Sequence, residues 1–228
     1  MWQELFRELS PRGLQIVTVA LDTGGAEAVR PWIEVAKPEH PSLIDRAHVV
    51  DELFGITNVP SGVWIDEVGT IVRPPETAYP RRPNYQDQKT PPDASADEAA
   101  EIEAVKLLRT DADQYVMALR DWVTHGSQSR FALAPEEVLR RSRPRPVEEA
   151  VAAAHFELGQ HLHRLGRTED AVHHFREAYR LQPDNWTYKR QAWALLAPHQ
   201  SPLAVYGGDW LTDVQKIGAE NYYPPLEM

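Results

Sequence analysis

The segment AHFELGQHLHRLGRTEDAVHHFREAYRLQPDN, residues 154–185, constrains the fold of this chain more than any other stretch. Apolar residues recur at helical spacing on both sides of Gly166-Arg167, which predicts one helix ending at Leu165 and a second from Thr168 to about Leu181. Residues at the expected close approach of the two helices are small: Gly159, Ala171 and Ala178. Residues expected to fill the layer between the helices are Leu158, Leu162, Leu165, Phe175 and Leu181. The segment therefore predicts an antiparallel helical hairpin that ends before Pro183.

This spacing resembles a tetratricopeptide repeat at about residues 152–185. The residues that carry the resemblance fall in register: Leu158, Gly159, Leu165, Gly166, Ala171, Phe175, Ala178 and Pro183. His155 departs from the pattern, because the repeat usually has an aromatic residue there. The resemblance implies a protein-binding surface. Since one repeat cannot bury its own apolar face, neighbouring helices must stack on it, and a purely structural packing role is equally open.

Residues 1–73 alternate between helix and strand patterns, which predicts an α/β domain. The predicted elements are helix 2–9, a buried parallel strand 14–21, helix 26–36, helix 46–54, and a hairpin of strands 63–66 and 70–72. In helix 46–54, the apolar side is expected to consist of Val49, Val50 and Leu53.

The rest of the chain divides by composition. Residues 74–94 are rich in proline and poor in aliphatic residues, which predicts a linker or an arm lying on the surface, with disorder as the alternative. Residues 95–228 read as a helical domain that contains the repeat. It opens with Ser95 and Glu98 in a capping-box pattern, and a helix follows over 97–125 with a break near Thr110. Asp184-Asn185 is expected to cap a further helix over 186–196.

The segment DELFGITNVPSGVWIDEVGTIVR, residues 51–73, runs from a helix through Gly55 and a Val59-Pro60 loop into a strand, then through Gly69 into a paired strand. This order resembles the C-terminal half of a thioredoxin fold, in its TlpA/ResA-like and peroxiredoxin-like (AhpC/TSA redoxin) branch. The resemblance implies that Pro60 is a cis proline and that the backbone of Val59 faces substrate. The alternative is a trans proline that starts an edge strand.

The resemblance extends back to the N-terminus but lacks the part that performs redox chemistry. Residues 14–36 match the family's second strand and following helix, and WQELFRELSPRG matches the helix that normally begins at the redox motif. The first strand and that motif would lie just before Met1, and the chain contains no cysteine. No catalytic residue is therefore assigned, and no thiol or peroxidase turnover is expected from this chain.

Two explanations account for the missing motif. Either the domain is redox-dead, or Met1 is an internal start and the natural protein is longer. We expect the second, because loss of a central strand would leave strand 14–21 with an unpaired edge, which invites aggregation. A start immediately after the motif would also follow if a stop codon that encodes selenocysteine had been misread.

Charge and composition limit the classes of partner that this chain is expected to bind. The formal net charge is −10, which disfavours phosphate backbones and anionic lipid, so neither nucleic acid nor membrane is expected as a partner. The N-terminus has neither a basic region nor an apolar core of the signal-peptide type, which favours a cytoplasmic location. The clustered histidines lack metal-binding spacing, so neither a metal nor another cofactor is expected.

The sequence supports two functions from different classes. The thioredoxin resemblance predicts that a full-length form is a thiol- or selenol-dependent disulfide or peroxide oxidoreductase, with a protein disulfide among its candidate substrates. The repeat predicts a non-enzymatic adaptor that binds a protein partner. An open sheet edge would additionally favour a homodimer.

Overall fold

A computed structural model describes residues 2–142 and 144–228 of the chain. The helices are α1 (Trp2–Leu9), α2 (Ala26–Ala36), α3 (Val49–Phe54), α4 (Ala96–Lys106), α5 (Ala112–His125), α6 (Pro135–Arg141), α7 (Val147–Arg164), α8 (Thr168–Leu181), α9 (Trp186–Ala194), α10 (Pro202–Tyr206) and α11 (Trp210–Ile217). The strands are β1 (Thr18–Leu21), β2 (Ser42–Asp45), β3 (Ser61–Ile65) and β4 (Ile71–Thr77). Met1, before which the redox motif is expected, lies outside the described residues.

In the described part of the chain, the four strands form two separate sheets of two strands each. β1 pairs with β2 in parallel, with Thr18 opposite Ser42 and Leu21 opposite Asp45. β3 and β4 form an antiparallel hairpin. The parallel pairing agrees with the sequence pattern. The prediction of a buried strand over 14–21 is wrong, because β1 is only four residues long and all four are half-buried. Sheets this small do not by themselves define a thioredoxin fold.

The prediction that Val49, Val50 and Leu53 form the apolar side of the helix after β2 is wrong. Val49 and Leu53 of α3 are exposed and Val50 is half-buried, whereas Asp51 is only 2% exposed. The helix also begins three residues later than predicted, since His48 precedes it in a left-handed conformation with φ of 57°. The polar side of α3 faces inward because Asp51 has a buried hydrogen-bonding partner in His48.

The proline-rich segment packs on the body of the protein. β4 continues through Pro74 and Pro75 to Thr77, as a strand at the edge of a sheet allows. Residues 77–80 are buried, and the hydroxyl of Tyr79 lies 3.0 Å from that of Tyr223. Residues 78–94 therefore form an arm that lies on the helical part, with a short 3-10 turn at Asn84–Asp87.

Local helix signals are accurate in the second half of the chain. Ser95 and Glu98 form a complete capping box at the start of α4. The predicted break near Thr110 separates α4 from α5, and the side chain of Asn185 caps α9 by accepting a hydrogen bond from the Tyr188 amide. Within residues 2–142 and 144–228, no helix combines the length and apolar character needed to cross a bilayer.

Among the described residues, three apolar clusters hold these elements together. In the first, α1, β3 and α5 meet around Trp64, which stacks on Trp122 and donates a hydrogen bond to the Tyr115 hydroxyl at 3.0 Å. The second joins the arm, α9, α11 and the C-terminal segment, where Tyr222 and Tyr223 are buried against the body. The third is the interior of α7, α8 and α9.

Candidate protein-interaction surface

α7 and α8 pack closely because small residues lie at their contact. A Cβ atom added at Gly159 would lie 2.7 Å from Cε1 of Phe175, so only glycine allows this approach. Ala171 and Ala178 of α8 are almost fully buried, as are Phe175 and Leu162. The hairpin closes through Gly166, which has a positive φ of 74°.

Two of the leucines assigned to the hairpin interior lie outside it. Leu158 is 42% exposed and Leu165 is 62% exposed. The expectation that they fill the layer between α7 and α8 is therefore wrong. At 100° per residue, Leu158 projects away from the side of α7 that carries Ala152, Phe156 and Gly159, and those residues contact α8 and α9 instead.

One side of the repeat is covered by the chain's own N-terminal part. The ring of Phe156 on α7 stacks on Tyr188 of α9 at 4.1 Å and meets the edge of the His48 ring at 5.0 Å. The Tyr188 hydroxyl donates to Glu52 of α3 at 3.2 Å, and Arg145 forms an ion pair with the same carboxylate. This side of the repeat is therefore occupied by α3 and the residue before it.

A buried polar network fixes this contact. Gln191 Oε1 on α9 accepts from the backbone amide of Thr23 at 2.9 Å and lies 3.0 Å from Nε2 of His48. Because a backbone amide only donates, the atom that it faces must be the oxygen, and His48 Nε2 must therefore carry a hydrogen. His48 Nδ1 lies 2.8 Å from Asp51 Oδ2, so both ring nitrogens donate and the imidazole is positively charged.

The pKa of His48 follows from these contacts. Burial alone would lower the pKa of the ring, since it disfavours the charged form. The hydrogen bond and the charge of Asp51, followed by the hydrogen bond of Gln191, outweigh burial and raise the pKa above its ordinary value of 6.5. Below this raised pKa, the imidazolium and Asp51 form a buried ion pair.

The opposite side of α7 is not covered by any part of the chain that the structure describes. Apolar residues follow it in alternating steps of four and three, at positions 147, 151, 154, 158 and 165, with His161 in the remaining step. The exposed fractions are 74% for Val147, 41% for Val151, 42% for Leu158 and 62% for Leu165. We call these residues, with Ala154, the aliphatic row. Steps of four and three place side chains on a single stripe, the pattern by which helices pair side by side.

Two histidines of the repeat meet between α7 and α8. The Nδ1 atoms of His155 and His174 are 2.8 Å apart, and the ring of His173 lies 5.2 Å from that of His174. Burial, with the neighbouring His155 and His173, lowers the pKa of His174. Among the described residues, no three histidine or carboxylate side chains are placed to hold a metal ion.

The Val59-Pro60 loop packs against other segments of the chain. The Val59–Pro60 peptide bond is cis. The backbone carbonyl of Val59 accepts a hydrogen bond from the Tyr223 hydroxyl at 2.9 Å, and that of Pro60 accepts from the amide of Ala78. Both carbonyls thus contact the chain itself, and a role of Val59 and Pro60 in facing substrate stays a prediction.

Comparison with known families identifies the repeat. The family model of the tetratricopeptide repeat matches residues 152–185, the length of one such repeat at about 34 residues. No match was found among curated proteins or among solved structures. The predicted repeat is confirmed, and it occupies α8 and most of α7.

Sequence reasoning missed two parts of this site. His48 and Gln191 were not singled out, because they are 143 positions apart and neither stands in a motif. The aliphatic row was missed for a different reason. Its spacing is visible in the sequence from Val147 to Leu165. However, α7 carries a second apolar stripe that faces the hairpin interior, and Leu158 and Leu165 were assigned to that second stripe.

Proposed function

We propose that this protein is a protein-interaction adaptor and that the aliphatic row of α7 is its docking surface. The observation that carries the proposal is the exposure of Val147, Val151, Leu158 and Leu165 on one stripe of α7, the helix whose larger part belongs to the tetratricopeptide repeat. Tetratricopeptide repeats generally stack on neighbouring helices, and within the described residues the chain itself covers only one side of α7.

The row is suited to a helical partner. α7 has 18 residues and the apolar steps continue along its whole length, so a partner helix with the same spacing would contact every member. Fully burying one such aliphatic side chain contributes about 1.5–3 kcal/mol. Glu157 and Arg164 flank the row seven positions apart with opposite charges, which would favour one direction of the partner helix.

A photo-crosslinking amino acid at Ala154, in the middle of the row, tests this proposal in cells of the source organism. We expect an adduct with another protein, identified by mass spectrometry, and no such adduct from the same crosslinker at Val35, an exposed position on α2. Leu158→Glu should weaken the partner's binding at least about tenfold, because it places a charge in the buried stripe. The far-UV circular dichroism of this variant should be unchanged, since Leu158 is exposed.

Two results would contradict the adaptor. An Ala154 adduct no stronger than that at Val35 would show that the row has no partner. An adduct formed solely with a second copy of this chain would replace the adaptor with a homodimer.

A redox function is the second candidate. The order of a parallel pair joined through α2, followed by α3 and an antiparallel hairpin, is compatible with the thioredoxin resemblance of residues 1–73. On that proposal, residues 74–94 are an arm and residues 95–228 a separate helical domain. A longer form would supply the reactive thiol or selenol. Because this chain has no cysteine, we expect it not to accelerate the reduction of insulin disulfides by dithiothreitol, monitored as turbidity. Measurable acceleration would contradict that expectation.

A further inference from the structure

A large cleft lies between the arm, α4 and α9, away from the aliphatic row. Its volume is about 1150 Å³, at or above the upper end of the usual range for small-molecule sites. The walls are mainly aromatic and aliphatic: Tyr79, Tyr85, Ile102, Trp193, Trp210 and Tyr223. This lining is typical of a site that encloses an apolar ligand and orients it through few polar groups.

The tyrosine hydroxyls of the cleft are committed to one another. Tyr223 donates to the carbonyl of Val59 at 2.9 Å, and Tyr79 donates to Tyr223 at 3.0 Å. The remaining contact, 2.7 Å between Tyr79 and Tyr85, must therefore use the hydrogen of Tyr85. Since the hydroxyl hydrogens of these three tyrosines are already used, their rings present apolar surface to the cleft.

Arg190 is the positive charge of the cleft. It is half-buried, donates to the Tyr222 hydroxyl and lies 5.5 Å from the centre of that ring. In the part of the chain that the structure describes, no carboxylate pairs with it. Neighbouring cations are neutralised, as Lys189 is by Asp213 at 2.8 Å. A half-buried guanidinium without a counter-ion inside an apolar cleft is arranged to receive an anion.

We propose that this cleft binds a small molecule that has an apolar body and one carboxylate, with the carboxylate on Arg190. The other ionisable groups of the lining set the charge of the ligand. Asp93, Glu98 and Glu101 are exposed on the side of the arm and α4. These three carboxylates would repel a doubly charged phosphate more strongly than a singly charged ligand. Solvent screens their repulsion of a single carboxylate bound at Arg190.

Matched acid and amide pairs test the proposal on the full chain. The probes are decanoate with decanamide, phenylbutyrate with phenylbutyramide, and indole acetate with indole acetamide. Binding is followed by calorimetry and, for the probes that do not fluoresce, by tryptophan emission, since Trp193 and Trp210 line the cleft. At least one acid should bind, and its amide should bind at least about tenfold more weakly, because the amide loses a charge-assisted hydrogen bond.

Two variants locate the site. Arg190→Gln should remove the preference for the acid, whereas Arg30→Gln, at an exposed position on α2, should leave it unchanged. Ile102→Trp fills the cleft from the α4 wall without altering Arg190 and should abolish binding of both acid and amide. The proposal is overturned if none of the three acids binds, if acid and amide bind equally, or if Ile102→Trp leaves binding intact.

Discussion

His48 connects three parts of the chain through one ring. Its two nitrogens donate to Asp51 and Gln191, and its edge contacts Phe156 of the repeat. The raised pKa means that the folded protein binds the His48 proton more tightly than the unfolded chain does. The resulting stabilisation is fully present below pH 6.5, the ordinary value, and is lost as the pH rises through the pKa of the folded state.

Replacement of His48 by asparagine should remove this pH dependence. Asparagine tolerates the left-handed backbone at this position, where φ is 57°. The variant therefore tests the loss of the imidazole ring without adding backbone strain. We expect the difference in unfolding free energy between wild type and variant to be largest near about pH 5.5 and to shrink towards about pH 9. Urea denaturation across that range measures it.

Asp51→Asn provides a second test of the same ion pair. It keeps an acceptor beside Nδ1 but removes the charge that raises the His48 pKa, so it should also flatten the pH profile of stability. A constant difference from wild type at every pH, for both variants, would show that His48 is not charged in the folded protein.

The α7–α8 hairpin depends on the absence of a side chain at Gly159. The Phe175 ring atoms Cε1 and Cδ1 would lie 2.7 and 2.8 Å from an added Cβ, and the ring is buried against α7 and α9. A ring in this position has little room to move, since protein interiors are close-packed.

Gly159→Ala should therefore destabilise the protein by about 1–3 kcal/mol, although alanine favours a helix over glycine by about 1 kcal/mol. Denaturation followed by far-UV circular dichroism measures the loss. The double variant Gly159→Ala with Phe175→Leu should be less destabilised than the sum of the single variants, because leucine yields the space. Glu157→Ala, at an exposed position on the same helix, should change stability by less than about 0.5 kcal/mol. Strict additivity of the two core changes would rule out the proposed contact.

At the scale of the whole molecule, Arg73 joins segments that are distant in sequence. Its buried guanidinium contacts Glu76 at 2.5 and 3.0 Å on its own strand β4, the Phe131 carbonyl at 2.9 Å and the Glu227 carbonyl at 3.1 Å. It also lies 5.4 Å from the centre of the Trp64 ring. One side chain thus links the hairpin, the loop before α6 and the C-terminal segment.

Arg73→Met should cost about 3–5 kcal/mol of unfolding free energy, because it leaves a mostly buried carboxylate and two carbonyls without their partner. Arg7→Met is the matched control. Arg7 also pairs with a glutamate, but it is exposed, and its loss should cost less than about 1 kcal/mol. Urea denaturation monitored by tryptophan fluorescence gives both values. Similar losses for the two variants would contradict the role assigned to Arg73.

The sequence predicted those features of the fold that depend on local signals. The bounds of α2 and α8, the capping box of Ser95 and Glu98, and the repeat itself follow from residues close together in the chain. Burial was harder to predict, because it depends on distant partners. Asp51 is buried because His48 is held by Gln191 from the other end of the chain, and Leu158 is exposed although its spacing equally fits an interior leucine.

The bond from Tyr79 to Tyr223 spans 144 positions, which has a consequence for how the protein is made. At about 5–20 residues per second, a ribosome needs about 7–29 s between adding the first of these tyrosines and adding the second. During that interval the arm and the Val59 carbonyl have no C-terminal segment to pack against. The nascent chain therefore exposes apolar surface for seconds, which is long enough for a chaperone to bind before the C-terminal segment packs onto the arm.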